Sequence, residues 1–283
     1  MICPFLDPAI KRALAGAILV TLGGAPLGVM LVLRRMSLMG DVIAHAILPG
    51  TAAGFILAGL SVPVMSVGGL IAGLVVAFLA GLASRFTSIR EDANLATVYL
   101  LAVALGILMI ALHGSAQDLE DILFGDAQAI TPDLLVVMAS VTAVTLFTLA
   151  IIYRPLIVES FDPVFMRSVQ GRGGVYHVLF MMLLVLNMVE GYRMIGTMMA
   201  AGLMLIPAVT AQLWTRRLAA QIVMALALGI GSSVVGLWLA VCLKVPPGPA
   251  IILMTGALYG LSMLLGRYGS VRARYFPFRH LES

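Results

Sequence analysis

Asp41 and His45 are the two residues whose chemistry stands out, because both can bind a metal and both fall inside an otherwise apolar stretch. Four residues apart, they share one face of a helix. A carboxylate and an imidazole on one face suit Zn²⁺, Mn²⁺ or Fe²⁺. Counted from Arg35 at 1.5 Å per residue, His45 lies about 15 Å into the stretch, near the middle of a hydrocarbon core about 30 Å thick. A charge at that depth costs roughly 2.5–3.5 kcal/mol on insertion scales, so it requires a reason. Two ligands do not close a tetrahedral site, and a symmetry mate or transient waters would have to supply the others. The competing reading is an internal Asp–His hydrogen bond that only fixes helix packing. Pro49-Gly50 follows at once and should break or loosen the helix. Broken helices near the membrane midplane are common where transporters hold substrate, which favours the metal reading.

The elements that must position this pair follow from composition. Of the 283 residues, 61% are apolar and 11% charged, and the mean hydropathy is +1.10. Soluble domains are nearer 45–50% apolar and about 25% charged, and cannot hide so much apolar side chain. Disorder needs the opposite composition. A nucleic-acid protein could share the pI of about 9.3, but it would gather its basic residues on a polar face. Here they stand singly or in pairs between apolar runs. Candidate spans of about 20 residues read as 13–33, 38–60, 63–84, 93–112, 133–153, 174–190, 194–213, 218–243 and 249–266. The expected fold is therefore an all-α polytopic membrane protein with eight or nine transmembrane helices, in one transmembrane domain over residues 1–283. The run after Lys11-Arg12 is too long for the apolar core of a cleaved signal peptide.

Thirteen of the 17 basic residues fall on one side of this layout: Arg34, Arg35, Arg85, Arg90, Arg154, Arg167, Arg172, Arg216, Arg217, Arg267, Arg272, Arg274 and Arg279. The positive-inside rule makes that side cytoplasmic. It sets the N-terminus outside and leaves residues 269–283 as a cytoplasmic polar tail. Residues 113–132 are too polar to span and form an outer acidic loop or a re-entrant segment. Their Asp118, Glu120, Asp121 and Asp126 are either simply solvated or form a vestibule that attracts cations or docks a partner.

Gly69, Gly73, Ala77 and Gly81 recur every fourth residue, as do Gly24 and Gly28, a spacing that lets helices approach closely in lipid. Met198, Met199 and Met204 read as adaptable packing rather than as Cu(I) ligands. Ile47-Leu48-Pro49-Gly50-Thr51-Ala52-Ala53 is weakly echoed by Leu205-Ile206-Pro207-Ala208-Val209-Thr210-Ala211, with Met199 and Leu203 in place of Asp41 and His45. The echo is either an inverted repeat, whose spans run in opposite directions, or chance. His113, His177 and His280 read as interfacial or tail residues, and Glu190 and Arg193 as a pair at an outer turn. Cys3 and Cys242 read as small apolar residues. No Walker A, HExxH or GxSxG pattern is present, so the energy for active transport would come from another chain or from an ion gradient.

The stretch 35–50, with Asp41, His45 and Pro49-Gly50 in place, resembles the signature of the membrane permease subunits of ABC importers for zinc, manganese and ferrous iron. Leu123-Phe124-Gly125-Asp126 with Ala129-Ile130-Thr131-Pro132 resembles that family's outer-loop motif. Phe161-Asp162-Pro163-Val164-Phe165-Met166-Arg167 resembles its cytoplasmic loop that contacts the ATPase. The span around Ile206-Pro207-Ala208 also fits, and the likeness runs over about residues 10–268. It implies a type II ABC importer permease in the bacterial inner membrane, with a cytoplasmic ATP-binding subunit and a second permease copy. It also implies a periplasmic or lipid-tethered metal-binding protein outside. Asp41 and His45 would be the metal site and residues 159–172 the coupling loop, with Phe161, Asp162, Pro163 and Arg167 at the ATPase contact. Pro49, Gly50 and Pro207 would break helices at the pathway. The metal, zinc or manganese with ferrous iron as a further option, is cargo, and no cofactor is held permanently. Ala44 stands where many relatives carry Ser, and Val164, Met166 and Gln170 where they often carry Glu, Ala and Gly. A secondary metal transporter or exporter driven by an ion gradient, with Asp41 as a proton-linked carboxylate, is the alternative.

Overall fold

A segment in lipid has no water for its backbone, so every N–H and C=O must be satisfied within the protein. The chain meets this demand with helices. The computed structural model describes residues 7–59, 61–86, 91–113, 130–162, 173–195 and 197–275. Eleven helices occur among them: α1 (Pro8–Leu33), α2 (Leu38–Ala46), α3 (Leu48–Ala58), α4 (Val62–Phe86), α5 (Glu91–His113), α6 (Pro132–Phe161), α7 (Gly173–Ile195), α8 (Thr197–Gln212), α9 (Leu218–Leu243), α10 (Pro247–Leu265) and the short α11 (Val271–Tyr275). Five segments are long and apolar enough to cross a membrane: α1, α6, Val175–Tyr192 of α7, α9 and α10. Four shorter apolar stretches, Leu48–Ala58, Pro63–Leu79, Thr97–His113 and Met199–Gln212, account for the remaining expected spans. The protein is a multi-pass helical membrane protein, as its composition demands.

Helix ends follow local rules. Asp7 caps α1, its carboxylate accepting from the Ala9 N–H at 2.9 Å, and Thr131 caps α6 from the Leu134 N–H at 3.4 Å. Both are favoured N-cap residues, and both satisfy backbone donors that the first turn leaves unpaired. Helix α1 ends in two reverse bonds, Arg35 N–H to Val32 O and Met36 N–H to Leu31 O. That closure places Arg35 in the left-handed region, at φ 58°, where glycine is the usual occupant. A side chain there costs about 1–2 kcal/mol.

Helix α1 is the axis of the bundle, packed against α6, α7, α8 and α9. Close approach needs small residues. A methyl group on Gly28 would collide with the Met204 carbonyl of α8, and one on Gly23 with the Asn187 amide oxygen of α7. Asn187 donates to Thr145 Oγ1 of α6 at 2.6 Å, and Thr142 Oγ1 donates across to the Leu19 carbonyl of α1 at 3.2 Å. Such bonds act as polar glue where lipid supplies no hydrophobic drive between helices. The outward faces carry Leu101, Phe147, Val223 and Leu253, all exposed, as a lipid-facing surface should.

Two boundaries differ from the sequence reading. The fifth span does not stop at residue 153: α6 runs through Pro155 to Phe161, so the first three residues of the expected 159–172 loop are helical. At 30 residues, or about 45 Å, α6 is longer than the hydrocarbon core and its end projects beyond it. Pro207 does not break α8, which is helical from Thr197 to Gln212. The ring is buried and lies beside Gly229 of α9, and neighbouring helices in a bundle tolerate proline in this way. The echoed pair of segments is thus asymmetric, one copy broken and the other continuous.

Candidate metal-transit site

The break beside the Asp41–His45 face is real and has a clear cause. Pro49 has no N–H to give the His45 carbonyl four residues back. That carbonyl accepts instead from the Ile47 N–H, the residue that caps α2. Helix α3 then starts afresh at Leu48, with the Gly50 and Thr51 N–H groups both reaching the Ile47 carbonyl at 3.1 Å. Thr51 Oγ1 closes the new first turn on the Leu48 carbonyl at 2.9 Å.

Glycines hold the break between neighbours. A methyl group on Gly68 of α4 would strike the Gly50 carbonyl, so α3 and α4 touch backbone to backbone. On the opposite side, a methyl on Gly106 of α5 would stand 2.9 Å from the Pro49 nitrogen. Gly69 and Gly73, part of the fourth-residue series, receive Ile47 and Val185. The series thus supplies Gly69 to the interruption and Gly73 chiefly to α7, while the backbone contacts at the break fall on Gly68 and Gly106 outside the series.

Helix α2 lies among α4, α5, α7 and α8, with Met39, Val42, Ile43 and Ala46 buried. Gly40 admits the Met204 methyl, which links α2 to the α1–α8 crossing and assigns Met204 to packing. His45 is half-buried. Its ring meets Tyr99 of α5 edge to face, with centroids 5.6 Å apart and planes at 74°. Position 41 lies one turn earlier on the same helical face; its side chain is outside the described set. Among the described side chains, no three His, Cys, Asp or Glu residues stand close enough to hold a metal. The His45 ring and the rearranged carbonyl thus lie together at the end of α2, with position 41 one helical turn earlier.

The remaining site residues divide by location. Pro49 and Gly50 join His45 at the break. Phe161 ends α6 with its ring exposed, and Asp162 caps that helix, its N–H reaching the Val158 carbonyl at 2.9 Å. Pro163 and Arg167, and Asp118, Glu120, Asp121 and Asp126, lie outside the described residues. His113 is exposed at the end of α5, with Nδ1 3.3 Å from the Met109 carbonyl, and Cys242 is an exposed free thiol. Glu190 is buried rather than set on an open turn.

The sequence reading missed a charged cluster at the end of the bundle where α1 and α6 finish and α7 begins. The Arg34 guanidinium donates from Nε to Ser160 Oγ at 3.0 Å and from Nη2 to Glu159 Oε2 at 3.1 Å. Its Nη1 lies 2.9 Å from His177 Nδ1, and its carbon stands 4.9 Å from the centre of the Phe180 ring. A guanidinium has no acceptor, so Nδ1 accepts and the His177 ring proton sits on Nε2. The Arg34 and Glu159 side chains are only 7% and 10% exposed. The signal was an acidic residue, Glu159, at the end of an apolar run, but its partner lies 125 positions away.

Residues 7–266 match the ABC 3 transport family. The manganese transport system membrane protein MntC of Halalkalibacterium halodurans is 31% identical over 268 residues, covering 94% of this chain and 90% of that one. The manganese import system permease protein ScaB of Streptococcus parasanguinis is also 31% identical, covering 94% and 95%. A chain of the solved structure of PsaBC from Streptococcus pneumoniae, in complex with Fab, superposes with a TM-score of 0.83 at 30% identity, covering 97% of this chain and 98% of that one.

Proposed function

The chain belongs to the ABC 3 transport family, and from that premise we propose that it is the membrane permease of an ATP-driven importer for a divalent transition metal, with manganese the favoured cargo. The observation that carries the site is the interruption at Ile47, two residues beyond His45 and gripped by Gly68 and Gly106. Mid-membrane breaks expose carbonyl oxygens and helix ends to an ion without exposing them to lipid. An Asp oxygen and a His nitrogen suit Mn²⁺ or Zn²⁺ alike. The choice of manganese is supported by relatives that span nine-tenths of the chain and are named for that metal.

In this reading the cation sheds part of its water at the break. Asp41 supplies charge and one oxygen, and His45 a neutral nitrogen held by Tyr99. Water, or the same residues of a second permease copy, complete the shell. The incomplete shell is useful in transit, because an ion bound too well would not leave. A metal-binding protein delivers the ion to the outer face, where Asp118, Glu120, Asp121 and Asp126 attract it. A cytoplasmic ATP-binding subunit contacts residues 159–172, around Phe161, Asp162, Pro163 and Arg167, and drives alternating access. The protein then lies in the bacterial inner membrane, N-terminus outside.

The test is uptake of manganese by cells or vesicles carrying Asp41→Ala or His45→Ala at matched membrane levels. Both variants should insert normally and lose uptake. A double variant importing at the normal rate would end the site assignment.

A further inference from the structure

We propose that Arg34 is a positioning residue for energy coupling: its guanidinium ties the adjoining ends of α6 and α7 to the turn that begins α2. A displacement of the segment between α6 and α7 is thereby passed to the helix bearing Asp41 and His45. The inference rests on the reading of residues 159–172 as the ATPase contact and extends it inward.

The geometry is specific. Glu159 and Ser160 lie in the last turn of α6, and His177 and Phe180 near the start of α7. Every residue between those helices belongs to the proposed contact or abuts it. One planar fork contacts both ends, through Nε and Nη2 on one side and Nη1 on the other. A guanidinium fixes direction as well as distance, which a lysine does not. Arg34 itself caps α1, and only residues 35–37 separate it from α2. That link has little slack: Arg35 is pinned in the left-handed region by two reverse bonds. Asp41 follows on the first turn of α2, so the path from clamp to site is seven residues of ordered backbone.

Stability alone does not explain the cluster. A buried ion pair confers little over well-packed apolar residues of similar size, because desolvation offsets the attraction. What a paired, bidentate contact adds is a fixed arrangement of the groups it joins.

The experiment uses the permease reconstituted with its ATP-binding subunit in vesicles, reading Mn²⁺ uptake and ATP hydrolysis on the same samples. The double variant Arg34→Met with Glu159→Leu removes the charges together and leaves none buried alone; Arg34→Lys keeps the charge and loses the fork. Both should bind the ATP-binding subunit and hydrolyse ATP. Metal moved per ATP should fall about tenfold in the double variant, within the usual range of coupling between sites, and less in Arg34→Lys. A merely structural role would lower uptake and hydrolysis together and leave their ratio unchanged, and that result in either variant overturns the proposal. If the double variant fails to assemble, the ratio in Arg34→Lys decides. A wild-type complex without ATP-linked uptake overturns the functional reading as well as the clamp, whereas an unchanged ratio in a coupled wild type overturns the clamp alone.

Discussion

The edge of one ring meets the face of the other where His45 of α2 packs on Tyr99 of α5, with centroids 5.6 Å apart. His45 lies near the end of the nine-residue α2, and this contact bears on how its imidazole is oriented.

Replacing Tyr99 by Leu should therefore weaken transit more than replacing it by Phe, which keeps the ring. Aromatic pairs contribute about 0.5–1.5 kcal/mol beyond area burial. Tyr99→Leu is expected to raise the manganese concentration for half-maximal uptake several-fold, with Tyr99→Phe near wild type. Equal effects of the two substitutions would mean that the ring contact does not hold His45.

Pro49→Ala restores the N–H whose absence diverts the His45 carbonyl to Ile47. Proline is tolerated in the first turn of a helix, where Pro49 stands, and joining α2 to α3 would relieve at most the interior cost of about 3 kcal/mol, so the variant should be at least as heat-stable as the parent. Uptake should fall, because α2 and α3 can now join into one helix. Unimpaired uptake in a more stable variant would show that the break is dispensable.

Glycine substitutions should separate sharply by position. Gly68→Ala forces a methyl into the Gly50 carbonyl, whereas Gly256 of α10 has nothing within 4 Å of an added methyl. Overpacking commonly costs about 1–3 kcal/mol, while Gly→Ala in an open helix gains up to about 1 kcal/mol. Midpoints of thermal unfolding in detergent should drop for Gly68→Ala and hold or rise for Gly256→Ala. Similar midpoints would refute the backbone contact between α3 and α4.

Neutralising Asp118, Glu120 and Asp121 together should slow uptake at low salt, with the loss shrinking as salt rises. Exposed charges are screened over about 8 Å at physiological ionic strength. Asp126, inside the Leu123–Asp126 motif, is expected to harm expression at every salt concentration when replaced. Normal low-salt uptake by the triple variant would reduce the patch to a solvated loop.

The sequence alone determined the spans, since lipid forces each segment to satisfy its own backbone and to show apolar side chains outward, a constraint written locally in every run of about 20 residues. It also placed Asp41 and His45 on one face and foretold the break after them, because i,i+4 spacing and a missing proline N–H are local facts. Tertiary structure decided what depends on which faces meet. The unbroken passage of α8 through Pro207 puts its buried ring beside Gly229 of α9, and the reach of α6 to Phe161 placed Glu159 against Arg34. The charge tally could assign Arg34 to a side of the membrane but could not show that Glu159, Ser160 and His177, all more than 120 positions away, converge on its guanidinium. Periodicity gives each helix its faces, and only packing in three dimensions chooses the partner for each one.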